Sequence, residues 1–137
     1  MSGGPARAAH LVLYVADQAA SARFYERVLG RAPRLDVPGM TEFELAEGAV
    51  LGLMPEAGIR RLLGKGLPDP AGARGVPRAE LYLVVEDPDG AHARAIAAGG
   101  KELGPVALRD WGDRAGYVLD PDGHVLAFAG RDADAAE

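Results

Sequence analysis

Two stretches of the chain decide the fold: His10-Leu-Val-Leu-Tyr-Val-Ala-Asp17 and Glu80-Leu-Tyr-Leu-Val-Val-Glu-Asp87. Each is a short apolar run that ends on an aspartate, which is typical of a buried strand followed by the N-cap of a helix. The two copies stay in register as far as Gly30-Arg31 and Gly100-Lys101. We therefore interpret the chain as a duplicated half-domain, since two copies are too few for a repeat array.

Each copy continues with one helix and three further strands. Apolar residues predict the buried face of the first helix at Ala22, Tyr25, Val28 and Leu29, with Gly30 as its C-cap. The later strands are expected at 34–37, 41–46 and 49–54 in the first copy, and at 102–108, 114–119 and 124–129 in the second. In the second copy Pro88 follows the cap residue Asp87, and Gly99-Gly100 ends the helix.

These elements predict one α+β domain over residues 8–130. Module one spans 8–55, a linker covers 55–77, and module two spans 78–130. The linker is rich in glycine and proline, and residues 59–63 can form about one helical turn within it. A connection this long is either a plain linker or a lid over a site. Residues 131–137 are expected to form a flexible tail.

The composition excludes several classes of protein. There is no cysteine, so disulfides and thiol nucleophiles are ruled out. Fifteen basic residues against 20 acidic ones give a net charge of −5, which argues against nucleic acid as a partner. The longest apolar stretch is shorter than the roughly 20 residues of a transmembrane helix, and the first residues lack an apolar signal core. We expect a cytoplasmic protein with no membrane partner.

Two motifs carry a family resemblance. Asp17-Gln-Ala-Ala-Ser-Ala-Arg-Phe-Tyr-Glu-Arg-Val-Leu-Gly30 contains a Ser..Phe-Tyr...Leu-Gly pattern, and Trp111-Gly112 is followed by the turn Asp120-Pro-Asp-Gly-His124. Together with the two βαβββ modules, they resemble the vicinal oxygen chelate superfamily of glyoxalases, bleomycin resistance proteins and extradiol dioxygenases. The resemblance covers about residues 8–130 and implies a cupped mixed sheet. Because this fold hosts unrelated chemistries, function must be argued from the site.

The resemblance also implies where a metal would be held. Metal-dependent members place ligands on the first and last strands of each module, and the matching positions here carry His10, Gly52, Glu80 and Ala127. Gly52 and Ala127 have no donor atoms, whereas a catalytic metal normally has about three protein ligands. We therefore expect no cofactor and a degenerate metal site, unless Glu42 or Glu44 on a nearby strand completes it.

The two remaining histidines are poor candidates for further ligands. His92 falls in the second predicted helix, and we expect it to be exposed. His124 precedes Ala127 by an odd number of residues, so strand alternation points it to the opposite face.

His10 and Glu80 occupy equivalent positions in the two modules, and we expect them to face each other. One interpretation is a histidine–carboxylate pair that acts as a general base, in a lyase or isomerase of the glyoxalase type, or as a polar anchor for a ligand. The other is a buried polar pair that only fixes the packing of the modules.

Strand alternation predicts an apolar, aromatic lining for the concave face. Its expected ligand-binding residues are Tyr14, Met54, Tyr82 and Tyr117, with Trp111 at the mouth. The alternative is that Tyr14, Met54 and Tyr82 are core, and that Trp111 covers a sheet edge or a dimer seam. We expect a homodimer that binds a small planar or aromatic molecule in its cavity.

Overall fold

The computed structural model describes residues 4–131. The chain divides into two compact units, Met1–Gly72 and Ala73–Glu137, here called the N-terminal and the C-terminal unit. No helix in this described part is long and apolar enough to cross a membrane.

The N-terminal unit is a four-stranded mixed sheet with two helices. Its elements are β1 (Ala9–Val15), α1 (Gln18–Leu29), β2 (Leu35–Val37), β3 (Met40–Ala46), β4 (Ala49–Pro55) and α2 (Glu56–Leu63). The strand order is β1-β4-β3-β2, with β1 parallel to β4 and the other pairs antiparallel. A strand, a crossover helix and an antiparallel meander thus form the first predicted module.

The ends of α1 are those that the sequence predicts. The Asp17 carboxylate accepts a hydrogen bond from the Ala20 amide at 3.0 Å, and Gly30 ends the helix in the left-handed region at φ 69°. The buried face differs in part from the prediction. It comprises Ser21, Phe24, Tyr25 and Val28, whereas the predicted Ala22 and Leu29 are half-buried.

The predicted linker contains more regular structure than the sequence suggests. Instead of one turn, α2 covers eight residues, because Glu56 and Ile59 lie on one helix face and are both buried. An ion pair between Arg60 and Asp69 (3.5 Å) ties the helix to the segment that follows. Two short 3-10 turns come next, at Gly64–Gly66 and Pro70–Ala73. That this segment is a lid over a site stays a prediction.

The C-terminal unit repeats the same topology. Its elements are β5 (Glu80–Val84), α3 (Pro88–Ala97), β6 (Lys101–Leu108), β7 (Asp113–Leu119) and β8 (Val125–Arg131), with the strand order β5-β8-β7-β6. Asp87 caps α3 by accepting from the Gly90 amide at 3.0 Å. Of the predicted tail, Arg131 is the last residue of β8, and residues 132–137 lie outside the described part.

Each sheet has one face against its helix and one face opposite. In the N-terminal unit Gln18 of α1 donates to the Thr41 hydroxyl at 2.9 Å, so Thr41 faces α1 and its neighbour Glu42 faces away. In the C-terminal unit a Cβ on Gly116 would lie 2.6 Å from His92 Nδ1 of α3, so Gly116 faces α3 and Tyr117 faces away. The predicted site residues lie on the faces opposite α1 and α3.

Candidate functional site

A tight hairpin end brings Trp111 over the face opposite α3. The Arg109 amide donates to the Asp113 carbonyl at 2.8 Å, and the Gly112 amide donates to the Arg109 carbonyl at 3.0 Å. Gly112 has φ 99°, a backbone conformation that side chains other than glycine rarely adopt. This turn sets Asp113 at the start of β7 and places the indole beside β5.

Three side chains form a hydrogen-bonded chain on this face. The Trp111 indole N–H donates to the Tyr82 hydroxyl at 2.8 Å, and the Tyr82 hydroxyl donates to the Asp113 carboxylate at 2.6 Å. Partial burial, followed by the hydrogen bond to Asp113, raises the pKa of Tyr82 above its ordinary 10.0. The phenol is therefore neutral and a donor at physiological pH. Although its N–H is fixed, Trp111 remains 59% exposed.

Tyr117 and Ala127 form the sheet surface next to the hydrogen-bonded side chains of Trp111, Tyr82 and Asp113. Ala127 lies between Tyr82 and Tyr117 in the strand register, so the three residues share one face. The Arg109 guanidinium lies over the Tyr117 ring, 5.2 Å from its centroid. Arg109 also donates to the backbone carbonyls of Ala115 (2.9 Å) and Pro105 (2.7 Å), which fixes it as part of the hairpin.

Tyr14 and Met54 are direct neighbours on the face opposite α1. They are partners in the parallel β1–β4 ladder, as are Val12 and Gly52 two residues earlier. Gly52 is buried, and a Cβ there would lie 3.2 Å from both Met40 Sδ and Val12 Cγ2. Neighbouring apolar side chains thus already fill the space beside Gly52, the position where the resemblance implies a metal ligand.

His10 has a carboxylate neighbour within its own unit. Glu42 is opposite Gly52 in the β3–β4 register, and its Oε2 lies 3.7 Å from His10 Nδ1. The other oxygen, Oε1, accepts from Arg34 Nε at 3.0 Å and lies 2.9 Å from Arg34 Nη2. Glu42 is largely buried, with 15% of its side chain exposed, whereas His10 is 41% exposed. The imidazole and the guanidinium therefore share one carboxylate.

The predicted His10–Glu80 pair stays a prediction. His10 belongs to the N-terminal unit and Glu80 to the C-terminal unit. Glu80 is exposed and begins β5, two residues before Tyr82 and on the same face. In the described range 4–131, no group of three or more histidine, aspartate or glutamate side chains is arranged to hold a metal.

The expectation for His92 is wrong. His92 is only 6% exposed, because the absence of a side chain at Gly116 lets the imidazole pack against the sheet. Its Nε2 lies 2.7 Å from Glu102 Oε2. His124 is also buried, at 4% exposure, and its Nε2 lies 3.3 Å from Arg78 Nη2.

Sequence reasoning missed several residues of these two faces. Asp113, Arg109 and Arg34 are not among the predicted site residues. The alternation of β3 could have placed Glu42 beside Gly52, once the β3–β4 turn at Glu47-Gly48 is recognised. The position of Arg109 over Tyr117 has no such signal, because it depends on the shape of an irregular hairpin end.

A surface groove of about 440 Å³ lies elsewhere in the N-terminal unit, between α1 and the β2 segment. Gln18 at its edge is occupied by the fold itself: it donates to the Val37 carbonyl at 2.8 Å and accepts from the Gly39 amide at 3.0 Å. The charges along the groove are mixed, with Arg23 beside Glu26 and Asp36. We do not include this groove in the candidate site.

Comparison with known proteins agrees with the topology. A family model described as the Glyoxalase/Bleomycin resistance protein/Dioxygenase superfamily matches residues 7–128. An uncharacterized protein of Mycobacterium bovis is 31% identical over 124 residues, which are 88% of this chain and 79% of that protein.

Two solved structures have the same fold. A glyoxalase-related enzyme from Fulvimarina pelagi is 30% identical, with a TM-score of 0.76 over 90% of this chain and 86% of its own. A glyoxalase/bleomycin resistance protein/dioxygenase from Nocardioides is 25% identical, with a TM-score of 0.76 over 97% of this chain and 87% of its own.

Proposed function

Because the chain belongs to the glyoxalase/bleomycin resistance protein/dioxygenase superfamily, we propose that it binds a small planar or aromatic molecule on the face opposite α3, without a resident metal. One observation carries the proposal: Trp111 is 59% exposed although its N–H is held by Tyr82. An exposed aromatic ring that is already oriented loses little conformational freedom when a planar ligand stacks on it.

The surroundings of Trp111 support this proposal. Tyr82 and Tyr117 add two further rings. Ala127 between them has only a methyl side chain, so it leaves space above the sheet for a ligand. Small-molecule sites are typically apolar surfaces with a few fixed polar groups, and here the Asp113 carboxylate supplies such a group.

The residues at the family's ligand positions do not fit a tightly held divalent metal. Gly52 and Ala127 offer no donor, and His10 is the one donor that the N-terminal unit places at these positions. Glu42 could supply a carboxylate beside Gly52, but Arg34 already neutralises it at 2.9 Å. A guanidinium therefore supplies the positive charge next to Glu42, and no step of the proposed function needs a metal.

Tryptophan fluorescence tests the proposal directly, because Trp111 is the one tryptophan of the chain. We expect saturable quenching by neutral planar compounds such as acridine. Tyr82→Phe removes the acceptor that orients the indole and should weaken binding about tenfold, which corresponds to the loss of roughly one good hydrogen bond.

Ile96→Ala is the matched control for this experiment. Ile96 is an apolar, 39% exposed residue of α3, so it lies on the other side of the same sheet. Its substitution should leave the affinity unchanged. Absence of saturable quenching by every planar compound, or equal losses in Tyr82→Phe and Ile96→Ala, would contradict the proposal.

The second candidate function is a lyase or isomerase of the glyoxalase type that uses His10 and Glu80. The observation that favours it is the carboxylate at 3.7 Å from His10, since such a neighbour can orient an imidazole that acts as a base. His10→Ala separates the two functions. A binding protein keeps its affinity, whereas an enzyme loses the conversion of the bound compound, measured by product analysis.

A further inference from the structure

The polar hydrogens of Trp111 and Tyr82 are already used within the protein. The indole has a single N–H, which is taken by the Tyr82 hydroxyl, and the hydroxyl proton in turn is directed at Asp113. Neither aromatic side chain can therefore donate to a ligand without breaking this chain. The indole and the phenol offer a ligand mainly their ring surfaces.

The acceptors on the same face are not used up. Tyr82 occupies one oxygen of Asp113, Oδ2, and leaves Oδ1 for another donor. Glu80, two residues before Tyr82 on β5, adds a second carboxylate to this face. Among residues 4–131, neither carboxylate forms an ion pair with an arginine or lysine.

The nearby arginines do not pair with either carboxylate. Arg109 binds two backbone carbonyls and lies over Tyr117, and Arg114 forms an ion pair with Asp89 at 3.0 Å. Arg131 is the ladder partner of Asp113 but is exposed and forms no ion pair with it. The face therefore combines an exposed indole with two carboxylates that lack counter-ions.

We infer that the ligand is a planar aromatic cation that carries an N–H donor. This inference rests on the proposed function and adds the ligand's charge to it. A cationic ring gains from stacking on the indole through its charge, and its N–H group gains a charge-assisted hydrogen bond to Asp113 or Glu80. A net charge of −5 on the chain favours the approach of such a ligand.

Three acridines of the same shape test the inference: an aminoacridinium cation, neutral acridine and acridine carboxylate. Their affinities are measured by calorimetry at mildly alkaline pH, where acridine itself is neutral. We expect the cation to bind about tenfold tighter than acridine. A free-energy gain of this size is typical of a partly desolvated cation–π contact together with one charged hydrogen bond. The carboxylate should bind weakest.

Charge-removing variants assign the preference to the two carboxylates. Asp113→Asn and Glu80→Gln should each reduce the ratio of cation to acridine affinity about threefold. Asp89→Asn, which removes a carboxylate of α3 that already has a counter-ion, is the control and should keep the full ratio.

The outcomes distinguish the two proposals. Equal affinities for the cation and for acridine overturn this inference and leave the proposed function standing. A ratio that survives both Asp113→Asn and Glu80→Gln also overturns it, because the preference then arises elsewhere. If none of the three compounds binds, the proposed function fails together with the inference.

Discussion

Gly116 shows how one missing side chain can place a helix. A Cβ at this position would lie 2.6 Å from His92 Nδ1 and 2.7 Å from Val106 Cγ2. Gly116→Ala should therefore displace α3 or β6 and cost about 1–3 kcal/mol of the free energy of unfolding. Urea denaturation measures this loss.

Gly104→Ala is the control for that substitution. Gly104 lies in the same sheet as Gly116. A Cβ at this position would lie 3.5 Å from Arg109 Nη2, which is an ordinary van der Waals distance. Its free energy of unfolding should change by less than about 0.5 kcal/mol. Similar losses in Gly116→Ala and Gly104→Ala would show that the contact with His92 is not the cause.

Tyr82 gives a pH-dependent prediction. Partial burial and the hydrogen bond to Asp113 raise its pKa, so the folded protein holds this proton more tightly than the unfolded chain. The resulting stabilisation is complete below the unfolded pKa of about 10 and is lost as the pH rises through the higher folded pKa. Asp113→Asn removes the carboxylate charge and should lower the pKa of Tyr82.

Phenolate absorbance measures this titration, with Tyr82→Phe assigning the signal. Asp89→Asn is the control, because Asp89 does not contact Tyr82 and pairs with Arg114 instead. An unchanged titration of Tyr82 in Asp113→Asn would mean that the 2.6 Å hydrogen bond does not determine this pKa.

Individual side chains were predictable where strand alternation controls them. Strand alternation alone placed Tyr82 and Tyr117 on one face, because successive side chains of a strand point to opposite faces of the sheet. The expectation that His92 is exposed was wrong, because the burial of that ring depends on Gly116, a residue of a different element. Strand alternation also missed the role of Asp113, because hairpin ends do not follow a period.

At the scale of elements, the capping residue Asp17 supports a direct test. Its carboxylate satisfies the Ala20 amide, one of the unpaired donors at the start of α1. Asp17→Ala should cost about 1 kcal/mol, whereas Asp17→Asn keeps an acceptor and should cost less. The urea unfolding midpoints of the two variants measure this difference. Equal losses of stability in Asp17→Ala and Asp17→Asn would argue against a capping role.

Most element boundaries followed from local chemistry. Caps, glycines and apolar runs gave β4 and β7 to within about one residue. The exception is α2, where the sequence indicated a single turn. The helix begins earlier, at Glu56, and both Glu56 and Ile59 are buried. This burial arises from tertiary packing, which a local pattern of Gly and Pro does not indicate.

At the scale of the whole molecule, we predict a homodimer. β6 is the last strand of the C-terminal sheet, and its Leu103 and Leu108 are 50% and 61% exposed. Edge strands with exposed apolar side chains tend to pair with another chain. Light scattering at micromolar concentration should give twice the chain mass of 14.3 kDa.

A charged substitution examines whether β6 forms this interface. Leu108→Lys should shift the mass toward the single chain, whereas Leu62→Lys on α2, which replaces a leucine of similar exposure at 69%, should not. A single-chain mass for the unmodified protein would contradict the predicted dimer.

The central claim is that planar ligands bind beside Trp111 without a metal, and one NMR measurement tests it most directly. The chain has one tryptophan, so a single indole N–H signal reports on the site. We predict that acridine shifts this signal saturably, with the same half-saturation in EDTA as in its absence. An unmoved indole signal at saturating acridine, or a shift that requires added divalent metal, would contradict the account.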